Sequence, residues 1–115
     1  MEIVTAAVDG VVYLEFKGRL DAESAPGASQ TVQDLLKTPC SKLLIDLGGL
    51  AYISSAGIRV LLLAAQGLRR AGGQLAVCGA RGEVKDIIQV SGLGSVITVV
   101  EGRDQARALL EEPRP

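Results

Sequence analysis

The sequence predicts a single α/β domain built on a mixed, mostly parallel sheet, and three observations lead to this fold class. The chain has 115 residues, a common size for one domain, and 48% of them are hydrophobic, which is enough for one core. Short β-rich runs alternate with helical patterns after an initial hairpin, in the order β-β-α-β-α-β-α-β-α. No linker or repeat interrupts this order, so we assign the domain to residues 1–112 and a short tail to residues 113–115.

The hairpin comes first in the chain. Residues 3–8 and 11–16 favour strands, and Asp9-Gly10 between them suits a type I′ turn, which requires positive φ at both central positions. Apolar side chains alternate with others along the second run, so one sheet face should be covered while the other meets water or a partner. Residues 18–21 should then close the second strand.

A helix and a central strand should follow the hairpin. Ser24 suits the N-cap, Pro26 suits the first turn, and Thr38-Pro39 should stop the helix. The apolar residues that recur at helical spacing are Ala25, Ala28, Val32, Leu35 and Leu36. The nearly continuous apolar run 43–47 predicts a buried strand, and Gly48-Gly49 after it predicts a turn.

The longest helix should begin at Ser54 or Ser55 and end with Arg69-Arg70 before a glycine cap at Gly72-Gly73. Its predicted buried stripe is Ile58, Leu61, Leu62, Ala65 and Leu68, packed in one core with Leu14, Phe16, Leu44 and Val77. The pattern further predicts a strand over 74–78, a helix over 83–90 with Val84, Ile87 and Ile88 on one face, a strand over 96–100 and a helix over 104–111.

Composition excludes several classes of function. The chain has no histidine, so it has neither a Ser-His-Asp nor a Cys-His nucleophile pair. A net charge of −1 and three aromatic residues argue against nucleic acid and anionic membranes as partners. Cys40 and Cys78 fit no disulfide or zinc pattern and indicate free thiols. No apolar run is long enough to span a membrane, and no basic start suggests a signal peptide. We expect a cytoplasmic protein with no metal, no cofactor and no small-molecule substrate.

Two serines at a strand-to-helix corner carry the strongest functional signal. A serine here can cap the helix by accepting a hydrogen bond from a backbone N–H. The same position suits a phosphorylation switch, because a helix N-terminus favours a phosphate. Spacing alone leaves both interpretations open. Asp46, at the end of the preceding apolar run, favours a local hydrogen-bond acceptor over a catalytic base.

Three segments resemble the STAS domain, the module shared by sulfate transporters and bacterial anti-sigma-factor antagonists. Gly18-Arg19-Leu20-Asp21 is similar to the family's G-x-L-D. Asp46-Leu47, followed by the run 52–58 (Tyr-Ile-Ser-Ser-Ala-Gly-Ile), resembles its D-L and Y-[IM]-D-S-[SAT]-G-[LI] segments. Residues 72–93 resemble its GG strand and the following V-x-x-[IL]-[IFL]-x-x-[ST]-G-[LI] helix. The resemblance covers nearly the whole chain.

The resemblance implies a protein-binding regulator and no enzyme. It places the phosphoacceptor at Ser55, with Ser54 where an aspartate is common and Arg59 where a small residue often lies. It implies that an unphosphorylated antagonist binds a serine-kinase-type anti-sigma factor and that phosphorylation ends the binding. The residues expected at the partner-binding surface are Asp21, Tyr52, Ser54, Ser55, Gly57 and Arg59, and we expect little apolar area among them.

Two alternatives to the switch remain. The chain could be an unphosphorylated STAS scaffold in another bacterial signalling assembly, with its serine acting only as a cap, and the residue at Ser54 favours this alternative. An enzyme with a serine nucleophile is disfavoured because neither histidine nor a nearby lysine could act as its base.

Overall fold

The structure, a computed structural model, describes residues 1–38 and 40–111. The predicted helix stop at Pro39 and the predicted tail at 113–115 lie outside the described residues. The elements are β1 (Glu2–Val8), β2 (Val11–Leu20), α1 (Ala25–Leu36), β3 (Lys42–Ile53), α2 (Ser55–Arg70), β4 (Gln74–Cys78), α3 (Gly82–Ser91), β5 (Thr98–Val100) and α4 (Arg103–Glu111). The strands form one sheet in the order β1-β2-β3-β4-β5, with β1 antiparallel and the others parallel. The predicted fold class and element order are confirmed.

The hairpin turn follows from local chemistry. Asp9 has φ +52° and Gly10 has φ +80°, so both central residues take the left-handed conformation that a type I′ turn needs. The turn sets the register of β1 on β2, in which Val8 faces Val11 and Glu2 faces Lys17.

Helices cover the two faces of the sheet unequally. The main core lies under α1, α2 and α3, whereas α4 alone covers the opposite face through Ala106 and Leu110. Leu44 belongs to this second cluster, so its predicted place in the main core is wrong. Side chains along a strand alternate between the two faces of the sheet. Leu43 and Ile45, which precede and follow Leu44 in β3, point into the main core. A continuous apolar run does not indicate which residue points to which face.

The buried face of α2 is rotated from the predicted one. Val60, Leu61, Ala64 and Leu68 are fully buried. Ile58, Leu62 and Ala65, predicted to be buried, are only partly covered and pack at the margin of the core. Gly57 is also buried, and its lack of a side chain lets this side of α2 lie close to Leu20 and Ile53.

Gly48-Gly49 is not a turn, because β3 continues through it to Ile53. The pairing of β3 with β2 shifts register between Glu15 and Lys17, so the extra residue is absorbed within the strand. A Cβ on Gly49 would lie 2.9 Å from Lys17 Cγ and 3.1 Å from the Phe16 carbonyl oxygen. Glycine is needed here for close strand contact.

The two thiols are free, as predicted. Cys78 is fully buried on the α4 face, and burial, together with the nearby Asp46 charge, raises its pKa to about 11. Burial also raises the pKa of the half-buried Cys40. Among the described residues, no helix is both long and apolar enough to cross a membrane.

Candidate functional site

The candidate site lies where the parallel strands β2 and β3 end together. Leu20 pairs with Ile53, and the Ser54 N–H donates to the Leu20 carbonyl at 2.9 Å. The loop that leads into α1 and the corner that leads into α2 are therefore neighbours. Residues more than thirty positions apart along the chain meet at this edge of the sheet.

The two serines of the α2 corner have separate roles. Ser54 is the N-cap, with extended backbone (φ −99°, ψ 174°), and its Oγ accepts from the Gly57 N–H at 3.3 Å. Serine and aspartate are similarly good N-caps, so the departure from the family pattern keeps the capping function. Ser55 is the first residue of α2 and is exposed to solvent. Within the described part of the chain, its hydroxyl has no hydrogen-bond partner.

The neighbouring corner is closed by its own hydrogen bonds. Asp21 Oδ1 accepts from the backbone N–H groups of Glu23 at 3.1 Å and Ser24 at 3.0 Å. These bonds, of which that from the Ser24 N–H has the largest effect, lower the pKa of Asp21. Ser24 does not make the predicted cap bond within α1. Its Oγ instead donates to the Arg19 carbonyl at 2.8 Å and accepts from the Asp21 N–H at 3.0 Å.

A cation–π contact lies beside the two corners. The Arg19 guanidinium carbon lies 4.4 Å from the centroid of the half-buried Tyr52 ring, and Arg19 Nε is 3.9 Å from Asp21 Oδ2. Tyr52 is therefore neither fully exposed nor tucked beneath the loop. Arg59 is exposed one helical turn after Ser55, and its side chain makes no ion pair within the described residues.

Gly57 shapes the site from below. It is buried, and a Cβ there would meet Ile53 Cγ1 at 2.8 Å, Leu20 Cγ at 2.8 Å and the Leu20 carbonyl oxygen at 2.9 Å. A side chain at this position would push the start of α2 away from the ends of β2 and β3. Gly57 therefore fixes the height of Ser55 above the sheet and offers little surface of its own.

An apolar groove between α2 and α3 begins at Ser55. Its apolar residues are Ile58, Ile87 and Val90, and Ser55, Asp86 and Ser91 also line it. Val90 is 89% exposed, an unusual position for a large aliphatic side chain. This apolar area beside Ser55 comes from residues outside the set predicted for the partner surface, and the expectation of little apolar area within that set stays a prediction. The residues of this α2–α3 groove come from two helices that the sequence alone could not place against each other.

Asp46 has a structural role on the opposite face of the sheet. Its Oδ1 accepts from the Gly48 N–H at 2.8 Å, and its Oδ2 accepts from Arg103 Nε at 2.6 Å. Arg103 also reaches Glu15 at 3.1 Å, so the carboxylates anchor α4. The local acceptor role predicted for Asp46 is confirmed. The described residues include no group of three or more His, Cys, Asp or Glu side chains that could hold a metal.

The fold is a mixed five-stranded sheet in which an exposed serine begins the helix after β3. Comparison with protein families identifies the class of protein that has this arrangement. The chain belongs to the STAS-domain family, whose model matches residues 2–106. It is 30% identical to BtrV of Bordetella bronchiseptica, which is named as an anti-sigma factor antagonist; the match covers 100% of this chain and 99% of the relative.

Two solved structures show the same fold at low sequence identity. An anti-sigma factor antagonist from Mycobacterium paratuberculosis is 23% identical, with a TM-score of 0.89 over 96% of this chain and 94% of that one. The Bacillus cell fate determinant SpoIIAA in its phosphorylated form is 14% identical, with a TM-score of 0.72 over 94% of this chain and 99% of the other.

Proposed function

We propose that this chain is an anti-sigma factor antagonist whose binding to a serine-kinase-type anti-sigma factor is ended by phosphorylation of Ser55. The observation that carries the proposal is the exposed hydroxyl of Ser55 at the first position of α2, which bonds to none of the described residues and lies beside an apolar groove. The name of the full-length relative BtrV supports the antagonist role. The proposed role is binding and not catalysis.

The α2–α3 groove supplies what an interface needs beside the switch. An exposed aliphatic side chain such as Val90 can be buried by a partner, and removing apolar surface from water stabilises the complex. Ser55 lines this groove and connects it to the other polar residues proposed to face the partner, namely Asp21, Tyr52, Ser54 and Arg59. We propose that they surround the apolar contact as a polar rim.

Phosphate at Ser55 would act on the interface more than on the fold. It adds about −1.5 to −2 charges, which the N-terminus of α2 tolerates. Asp86 lines the same groove and would repel the phosphate. Burying these charges against a partner would cost desolvation energy and add repulsion. The modified protein should therefore stay folded while its complex weakens.

The test begins with recovery of a partner from the native lysate, followed by titrations of wild type, Ser55→Glu and Ser55→Ala. We expect Ser55→Glu to weaken binding at least about tenfold, or roughly 1.4 kcal/mol, and Ser55→Ala to bind like wild type. Incubation with the partner and ATP, followed by mass spectrometry, should place a phosphate on Ser55 and none on the alanine variant.

A matched control separates the position from the charge. Ser41 is also exposed but lies just before β3, at the opposite end of that strand from Ser55. Ser41→Glu should leave the affinity unchanged. Equal affinities for wild type and Ser55→Glu would reject the switch and favour the unphosphorylated scaffold, in which Ser54 only caps a helix. Val90→Asp, which changes the groove and leaves the serine in place, should weaken binding under either function.

A further inference from the structure

We propose that the free edge of β1 is a self-association surface, through which two copies of the chain pair antiparallel to make a continuous ten-stranded sheet. β1 ends the sheet and has β2 as its neighbour on one side only. Every residue of β1 except Ile3 is exposed. The row of backbone N–H and C=O groups on its outer side is a template for another strand.

Apart from the charged Glu2 at its end, this edge lacks the usual protections against pairing. Residues 3–8 contain no charge, proline or glycine, and the register irregularities occur in the pairing of β2 with β3. The other edge differs, because β5 is only three residues long, Thr98–Val100. A short strand offers few groups to pair. The molecule therefore has one protected edge and one that can accept a strand.

The second copy is the occupant that β1 fits. An antiparallel pair about a two-fold axis at Thr5 puts Thr5 opposite Thr5 of the second copy, and Val4 opposite Ala6 of the second copy. No like charges oppose each other, and the pairs are of β-forming or small residues. The interface is isologous, as expected for a homodimer with two-fold symmetry.

Charged side chains lie near the ends of the strand in this register. In this pairing Glu2 of the second copy comes opposite Val8. Val8 lines a shallow groove together with Arg107, whose guanidinium lies 3.0 Å from Asp9. Arg107 is already paired with Asp9 and, at 2.8 Å, with Glu111, so the register rests on backbone pairing and on its uncharged side-chain pairs and not on this cation. Val4, Ala6 and Val8 line this groove on the side of α4, and Val4 and Val8 are 39% and 47% exposed.

The short length of the seam, the contact between the two β1 strands, limits the strength of the dimer. A pair of seven-residue strands gives a contact at or below the roughly 1,200 Å² low end of stable interfaces. We expect a weak dimer that forms in a concentration-dependent way. No residue of the α2–α3 groove lies on β1, so pairing would leave the proposed partner surface free. This proposal does not depend on phosphorylation of Ser55.

Sedimentation equilibrium of the full chain, from about 1 µM to about 1 mM, tests the proposal. Wild type should dimerise within this range. Thr5→Lys and Thr5→Glu each place two like charges directly opposite across the seam, and each should raise the dissociation constant at least about tenfold. An equimolar mixture of the two variants should recover association, because opposite charges then meet. This recovery is specific to the register centred on Thr5.

Thr98→Lys provides the control at the other edge of the sheet, where the exposed Thr98 begins β5. It should dimerise like wild type. A wild type that stays monomeric up to about 1 mM would overturn the proposal. The same holds if Thr98→Lys and Thr5→Lys weaken the dimer equally, or if the folded charge variants fail to associate when mixed. Thermal melts confirm that each variant is folded before it is compared.

Discussion

Two strand-to-helix corners lie side by side at one edge of the sheet, and they use their serines differently. At the β2–α1 corner, Ser24 Oγ and Asp21 Oδ1 bond to backbone groups of the same loop. At the β3–α2 corner, Ser54 makes one cap bond and Ser55 makes none within the described residues. The first corner is a closed frame, whereas the second presents a free hydroxyl. The exposed serine thus lies between a hydrogen-bonded loop and the capped start of its own helix.

The largest expected effect comes from breaking the contact that joins the corners, at Gly57. The Gly57→Ala substitution places a Cβ within 3 Å of Leu20 and Ile53, so overpacking should lower the free energy of unfolding by about 1–3 kcal/mol. Urea melts measure the loss. Gly27→Ala in the first turn of α1 is the control, because a Cβ there meets nothing within 4 Å. It should stabilise the fold by roughly 0.5–1 kcal/mol; equal losses for both variants would contradict the packing role.

The next effect is a pH dependence from the closed corner. The folded pKa of Asp21 lies below its usual 3.8, so the carboxylate stabilises the fold above that pH. This contribution is lost as the pH falls through the folded pKa. Asp21→Asn keeps an acceptor oxygen and removes the charge. We expect it to be less stable than wild type at neutral pH, with a gap that narrows in acid melts below pH 3.8. A gap that is independent of pH would show that the charge contributes nothing.

A smaller effect is expected at the cap of the open corner. Ser54→Ala removes the acceptor for the Gly57 N–H, and since that bond is 3.3 Å long we expect a loss of about 0.5–1 kcal/mol in urea melts. Ser54→Asp restores both the acceptor and the residue common in the family. It should recover the stability of wild type. Failure of the aspartate to recover it would show that the cap is not the source of the loss.

The smallest effect on stability is expected at Ser55 itself. Since its hydroxyl bonds to no other described residue, Ser55→Ala should change the free energy of unfolding by less than about 0.5 kcal/mol. The same melts that detect Ser54→Ala measure it. A loss as large as that of Ser54→Ala would mean that both corners are closed, and the contrast between them would disappear.

The sequence predicted most reliably those elements whose structure depends on residues close together in the chain. The Asp9-Gly10 turn and strand β4 depend on short-range chemistry, and both were predicted correctly. Gly48-Gly49 was misinterpreted because local chemistry favours a turn there, whereas pairing with Lys17 on β2 keeps the chain extended. Long-range pairing overrode local preference at this point.

The candidate site likewise has one part that depends on local sequence and one part that depends on long-range packing. The position of Ser55 at the start of the longest described helix followed from local signals and the family resemblance. The α2–α3 groove could not be predicted in this way, because the sequence pattern assigns both Ile58 and Ile87 to buried helix faces. Their partial exposure depends on how α2 is rotated against the sheet and on where α3 lies. Neither is encoded by the periodicity of a single helix.

The burial of Cys78 gives the molecule an internal reporter. Its thiol lies beneath Ala106 and Leu110 of α4, and its pKa of about 11 keeps it protonated at neutral pH. A thiol reagent can therefore reach it only when α4 lifts from the sheet or the whole domain unfolds. Labelling kinetics compared across denaturant concentrations distinguish these two openings. In a Cys40→Ser background, which removes the half-buried second thiol, labelling of this one native cysteine reports how long the last helix stays docked.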